Sequence, residues 1–270
     1  MSSVKVDVNV TGTLAVALRF LSTDRSSSAV VWLRIDVVML IGGLPESELK
    51  RRIENLRSYA STGTEVRLVM TRNPPPSVDS LAEMELAAPG ILERVVQSEK
   101  EGADAVLIWG GHDPSMLSSR SLVDIPVIGP GSASMHVAAF LADYFSLMVQ
   151  LPEVEQLAWR QIRDYRLDEK CIGVYSVDIP VLELWKPESY DAVKETVIES
   201  IEDGANAVCF GCMALNNHVD RLTEELLESH PGATIVHPGR TSIRIAEMLV
   251  ELGLTQSRFT YPSPPKPIKI

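Results

Sequence analysis

Short, continuous apolar runs alternate along most of the chain with longer stretches in which apolar residues recur at helical period. The runs Val37 to Ile41, Val66 to Met70, Ala105 to Trp109, Val127 to Ile128, Cys171 to Tyr175, Ala207 to Phe210 and Thr234 to Val236 read as strands. Between them, Pro45 to Tyr59, Ala82 to Lys100, Ser134 to Met148, Tyr190 to Asp203, Val219 to Ser229 and Ser242 to Leu252 read as amphipathic helices, the first opening on a proline whose missing N–H costs nothing there. Strands apolar on both faces, each followed by a helix, predict parallel sheets covered on both sides. Ligands of such sheets bind beyond the carboxyl ends of the strands.

The rest of the chain does not follow this rhythm. Residues 1–36 hold no sustained period, and Ser26-Ser27-Ser28 interrupts any strand pattern, so they read as an N-terminal extension, either loosely ordered or upstream of the fold. Asn73 to Ser77, with three consecutive prolines, reads as a rigid loop leaving a strand end, and the proline-rich Tyr261 to Ile270 as an extended strap.

Two stretches repeat. Gly102-Ala103-Asp104-Ala105-Val106 returns as Gly204-Ala205-Asn206-Ala207-Val208, each after an acidic helix end, and Val127-Ile128-Gly129-Pro130-Gly131 returns as Ile235-Val236-His237-Pro238-Gly239. The order is kept, so the chain reads as a duplicated βαβ unit. The predicted architecture is α/β with two pseudo-symmetric lobes, each a parallel sheet flanked by helices, and an active-site crevice between them. Lobe 1 spans 37–131, with the C-terminal helix and strap 240–270 packing back on it, and lobe 2 spans 132–239.

Composition narrows the partners. The 270 residues carry 36 acidic and 25 basic side chains, a formal charge of -11, which disfavours nucleic acid and anionic membranes. No stretch approaches the ~20 apolar residues that span a bilayer, and Leu14 to Leu21 lacks the flanks of a secretion signal, so a cytoplasmic location is expected. The 3 cysteines form an odd set in a mid-sized chain, which favours a reducing compartment over a disulfide framework.

The repeat sets Gly110 against Cys212, both just past a buried strand. The turns beginning Gly111 and Met213 offer backbone N–H groups to a bound carboxylate. A thiol after Gly211 and before a helix reads as a reactive group with a lowered pKa, against the plainer reading of a small buried hydrophobe. Cys209 lies within its strand and reads as core, Cys171 as structural; Cys209-x-x-Cys212 matches the spacing of a redox or metal pair, but it has no second pair and Cys209 points into the sheet, which argues against that reading. His112 stands beside Gly110, where its imidazole either replaces a second acid/base or is an exposed loop residue, with Asp113 a helix cap before Pro114. Ser132, Ser134, Thr241 and Ser242 open helices at the expected crevice and are candidate hydroxyl contacts to a carboxylate. Arg72 is the candidate cation. His218 and His230 read as surface residues, His136 as a helix residue that packs or hydrogen-bonds to the neighbouring loop, and His237 as a weak ligand candidate.

Taken in order, GADAVLIWGGHDP (102–114), DIPVIGPGSASMH (124–136), DIPVLEL (178–184), GANAVCFGC (204–212) and AEMLVELGLTQSRFTYP (246–262) resemble the aspartate/glutamate/hydantoin racemase superfamily, closest to its hydantoin racemase branch. The likeness covers roughly residues 37–265. It implies two α/β lobes holding a small carboxylate, amino acid or hydantoin between them, no cofactor, and a homo-oligomer as one assembly open to the chain. It also implies inversion next to a carbonyl by two cysteines on opposite faces, one taking the proton and the other returning it. By motif the second is Cys212, while the first falls on Gly110. Ile41-Gly42-Gly43-Leu44-Pro45 replaces an Asn-Pro-Asn type turn, and Ser132 a usual Glu.

Removing a proton next to a carbonyl needs a base, and inversion needs an acid on the other face. Three functions remain open: a cofactor-independent racemase or isomerase in which Cys212 works with His112; a decarboxylase resembling the arylmalonate decarboxylases, in which loss of carbon dioxide makes the carbanion and Cys212 alone supplies the proton; and a non-catalytic paralogue that binds a small carboxylate.

Overall fold

The computed structural model describes residues 33–266 and 268. They form two four-stranded, all-parallel sheets. The first is ordered β2-β1-β3-β4, from β1 (Leu33–Met39), β2 (Thr64–Met70), β3 (Ala105–Ile108) and β4 (Val127–Ile128); the second is ordered β6-β5-β7-β8, from β5 (Phe145–Val149), β6 (Cys171–Ser176), β7 (Ala207–Phe210) and β8 (Thr234–Ile235). The two orders are the same once the strands are counted within each sheet, which is the duplication seen in the sequence.

The helices are α1 (Glu46–Tyr59), α2 (Leu81–Lys100), α3 (Met116–Leu122), α4 (Pro130–Leu141), α5 (Glu155–Asp164), α6 (Val181–Leu184), α7 (Tyr190–Glu202), α8 (Val219–Ser229) and α9 (Pro238–Glu251). Gly102 and Gly204, which open the repeated motif, leave their helices at φ of 85° and 111°, a left-handed exit that glycine makes without strain. No helix among the described residues is long and apolar enough to cross a membrane.

Two stretches differ from the sequence reading, and α3, α5 and α6 are helices that it does not place. β1 begins at Leu33, so Leu33 to Asp36 belong to the fold rather than to an extension; residues 1–32 lie outside the described residues. Asp36 hid the strand: it is buried and accepts two hydrogen bonds from Arg67 of β2, so a charged residue interrupts a core run without breaking it. The stretch Ser134 to Met148 is not one helix. α4 stops at Leu141, and Phe145 to Val149 is the central strand of the second sheet, hydrogen-bonded on both sides and fully buried. A helix running straight into a buried strand presents one unbroken apolar stretch, and only Ala142-Asp143-Tyr144 marks the join.

α9 packs against α1, α4 and β3. Its buried Glu247 accepts hydrogen bonds from Ser61 N–H (2.7 Å) and Thr64 Oγ1 (2.6 Å), which ties the helix to the turn before β2. At the C-terminal strap, Arg120 donates to Tyr261 Oη and Gln256 to the carbonyls of Val123 and Ile125, beside β4.

Candidate active site

The carboxyl ends of the two sheets meet. Gly111, three residues past β3, lies against Gly211, one past β7: a Cβ on Gly111 would sit 2.0 Å from the Gly211 carbonyl oxygen. Beside this contact opens a cavity with roughly 500 Å³ of empty space including its mouth, lined from both lobes. Its walls are largely apolar, with Met39, Leu40, Ile41, Val78, Met84 and Val181 among them.

Gly110, Gly111, His112, Gly211, Cys212 and Met213 all line it. Cys212 follows β7 and opens the 3-10 turn Met213–Asn217. Its side chain is 6% exposed. Backbone N–H groups of Ala214 and Leu215 and the nearby Arg52 pull its pKa down, but burial outweighs them and pushes the thiol up to about 11. The lowered pKa expected at a helix start is thus reversed by burial: the donors are there, yet at neutral pH the group is a thiol. Cys209 points to the other face of β7, in the separate apolar cluster with Phe145 and Leu147, and is core. All three cysteines are free.

The place opposite Cys212 in the repeat is filled. A Cβ on Gly110 would lie 2.8 Å from Leu40 Cδ2 and 2.9 Å from Pro114 Cδ, so these two side chains occupy the volume of a residue there. The Gly42-Gly43 turn has a similar cause. Its N–H groups donate to the carbonyls of Pro75 and Pro76 (2.8 and 2.9 Å), and a Cβ on Gly43 would meet Pro76 O at 2.5 Å, so the triple-proline loop lies directly on it.

His112 is drawn in from the first lobe and oriented by the second. Gln161, on α5, donates from Nε2 to the Gly111 carbonyl (3.0 Å) and Asp113 Oδ2 (3.2 Å), which leaves Oε1 as the acceptor for His112 Nδ1 (3.3 Å). That fixes the tautomer: Nδ1 carries the proton, and Nε2, buried without a partner, keeps its lone pair. Burial lowers the imidazole to about 4, so it is neutral at neutral pH. Asp113 does not cap its own helix. Its carboxylate accepts from Gly131 N–H (2.9 Å), Ser132 N–H (2.6 Å) and Tyr165 Oη (2.6 Å), closing the start of α4.

The four hydroxyl candidates do not line the cavity. Ser134 and Ser242 donate back to the carbonyls of Pro130 and Pro238 in their own helices, Ser132 meets Asp113 through its N–H, and Thr241 N–H bonds to His237 O. Arg72 is also elsewhere: its side chain is 75% exposed and pairs with Glu93. His218 is buried, its Nε2 at 2.8 Å from Leu184 O, contrary to its surface reading; His237 caps α9 by accepting from Arg240 N–H.

The cation at the cavity is Arg52. Glu48, Arg52, Leu56 and Tyr59 form the buried stripe of α1, and Arg52 Nε donates to Glu48 Oε1 (2.7 Å), which also accepts from Asn217 Nδ2 (3.0 Å). A charged pair four residues apart on the apolar face of an amphipathic helix was the available signal. Gln150, just past β5, was hidden with its strand. Arg52 Nη2, Trp109 Nε1, His112 Nε2 and Gln150 Oε1 are all buried without a hydrogen-bond partner, and all four residues line this cavity.

Unsatisfied polar atoms gathered on one apolar cavity are what a binding site leaves for its ligand. The sequence between residues 46 and 246 matches the family model described as Asp/Glu/Hydantoin racemase. The chain belongs to that family. A hydantoin racemase from Pseudomonas sp. (strain NS671) is 28% identical over 216 residues, covering 78% of this chain and 84% of the relative. Allantoin racemase from Klebsiella pneumoniae superposes with a TM-score of 0.80 at 29% identity, over 87% of this chain and 95% of that one. Arylmalonate decarboxylase, at 14% identity, shares the fold with a TM-score of 0.55, over 80% of this chain and 92% of that one. The racemase fold of two parallel sheets with a cavity at their joined carboxyl ends is thus the frame in which Cys212, His112 and Arg52 are set.

Proposed function

We propose that the protein is a cofactor-independent racemase acting at the carbon between a carbonyl and a ring or amino nitrogen of a small hydantoin-like substrate, with His112 Nε2 as base and the Cys212 thiol as acid. The observation that carries this reading is the pairing of protonation states on one cavity: an imidazole lone pair without a partner, and a thiol held protonated by burial. His112 takes the α-proton, the C–H electron pair passes into the adjacent carbonyl as an enolate, and Cys212 returns a proton from its own side. The products are the inverted substrate, an imidazolium and a thiolate, and exchange with solvent protons resets the pair. Arg52 favours the thiolate stage by its charge. The unpartnered acceptor Gln150 Oε1, beside the donors of Arg52 and Trp109, suits a ring that presents both N–H and C=O groups.

A polarimeter tests this. A single enantiomer of a 5-substituted hydantoin should lose rotation with the native protein, and not with Cys212→Ser or His112→Gln; retention with hydantoins, allantoin, aspartate and glutamate alike would reject racemisation.

The closing of the Gly110 position by Leu40 and Pro114 favours a second reading, decarboxylation of a disubstituted malonate. There the departing carbon dioxide leaves the electron pair on the carbon, and Cys212 as a resting thiol supplies the only proton needed. Carbon dioxide release that Cys212→Ser abolishes and His112→Gln spares would replace the first reading with this one.

A further inference from the structure

Two guanidinium groups share one carboxylate on α1. Glu48, 2% exposed, accepts from Arg52 Nε on one oxygen, and from Arg51 Nε and Nη2 on the other (2.8 and 2.6 Å). Arg52 is itself 4% exposed. Two positive charges against one negative leave an excess beside the cavity, and a buried cation with an unmet donor is costly unless a ligand completes it. Asn217 holds Glu48 from behind, at the end of the same 3-10 turn whose first N–H groups face Cys212, so the guanidinium is fixed relative to the thiol.

Trp109 adds a second donor. It leaves β3 next to Gly110, its Cη2 packed toward Gly239, and its Nε1–H is buried with nothing to receive it. Both residues line the cavity that holds Cys212 and His112. From this arrangement we infer that Arg52 Nη2 and Trp109 Nε1 form an anion subsite that binds the negatively charged oxygen of the substrate or of its enolate. Glu48 and Asn217 are positioning residues for it. The inference rests on the racemase reading for the word enolate; the anion subsite itself does not.

An enolate carries its charge on oxygen only during the reaction, so a fixed cation and a fixed N–H that meet that oxygen lower the barrier rather than merely tighten binding. Neither needs to move or to be deprotonated. Leu40, Met39 and Ile41 keep the subsite apolar, which strengthens the attraction.

Calorimetric titration with two planar, unreactive five-membered rings tests the subsite without turnover. Pyrrole-2-carboxylate presents a charged oxygen pair and pyrrole-2-carboxamide a neutral isostere. The native protein should bind the carboxylate at least about tenfold more tightly, the return of one charge-assisted hydrogen bond. Arg52→Gln should bring the two ligands to within about threefold of each other, while Glu48 keeps Arg51 and Asn217 as partners so that its carboxylate is not stranded. Trp109→Phe, which removes Nε1–H together with part of the ring's bulk, should weaken the carboxylate more than the amide. Equal binding of both ligands by the native protein, or a preference that survives Arg52→Gln in a variant with native circular dichroism, overturns the inference. Discrimination without racemisation would sink the racemase reading and keep the subsite; racemisation without discrimination would do the reverse.

Discussion

Gly111 touches Gly211 across the join of the two lobes, with no room for even a methyl group: a Cβ on Gly111 would lie 2.0 Å from the Gly211 oxygen and 2.9 Å from Cys212 N. Backbone, unlike the tip of a side chain, cannot step aside without moving a strand end. Gly111→Ala should therefore push the lobes apart at the cavity, lowering stability by about 2–3 kcal/mol and reducing kcat more than 100-fold, on the order expected when an acid and base are misplaced by 1 Å. Chemical denaturation with paired kinetics checks it. Native activity in this variant would mean that the lobe contact does not set the site.

Restoring a thiol at Gly110 should fail at first and succeed with help. The new Cβ meets Leu40 Cδ2 at 2.8 Å and Pro114 Cδ at 2.9 Å, so Gly110→Cys alone should cost about 1–3 kcal/mol through overpacking. Combining it with Leu40→Ala vacates the space. The double variant should recover much of the lost melting temperature, whereas additive losses would show that Leu40 is not what fills the position.

The pH profile follows from the direction of the two shifts. As the proposed base, His112, lowered to about 4, would act above that pH and be lost as pH falls through it. As the proposed acid, Cys212, raised to about 11, would act below that pH and be lost as pH rises through it. Then kcat/KM should stay level from about pH 5 to 10. An acidic limb near 6.5 would place His112 in water, and an alkaline limb near 9 would do the same for Cys212.

Asp113 gives a separate, structural signature. Burial raises its carboxyl to about 6 although four groups donate to it. A raised acid favours folding below its unfolded pKa, and that contribution is lost as pH rises through the folded value. Native stability should thus fall between about pH 4 and 6 by a part that Asp113→Asn removes. Asp113→Ala, which strands the Gly131 and Ser132 N–H groups and Tyr165 Oη, should cost about 3 kcal/mol or more at any pH, measured by urea unfolding.

Most of the architecture could be read from residues, because parallel strands buried on both faces and their helices write strong patterns, and because Gly102 and Gly204 mark the same exit twice. β5 could not: its apolar run continues that of α4. With β5 went Gln150, and with α5 went Gln161, the residue that sets the His112 tautomer. Cys212 and Gly110 were legible from the repeat alone. Arg52 gives no strand-end signal, because it stands on the buried stripe of a helix, while Arg72 at such an end faces solvent. Thiol pKa also escaped the sequence, since it is set by how deeply Cys212 sinks, which no local motif states.

In the proposed reaction a proton leaves and another returns at the carbon next to a carbonyl, between His112 and Cys212. Incubating one enantiomer of a 5-substituted hydantoin in deuterated water, with mass and chiral analysis against an enzyme-free control, follows that proton directly. Each inverted molecule should carry one deuterium, and Cys212→Ser and His112→Gln should both return to the control rate. Inversion with the original hydrogen kept, or no exchange above control with any hydantoin, would contradict it.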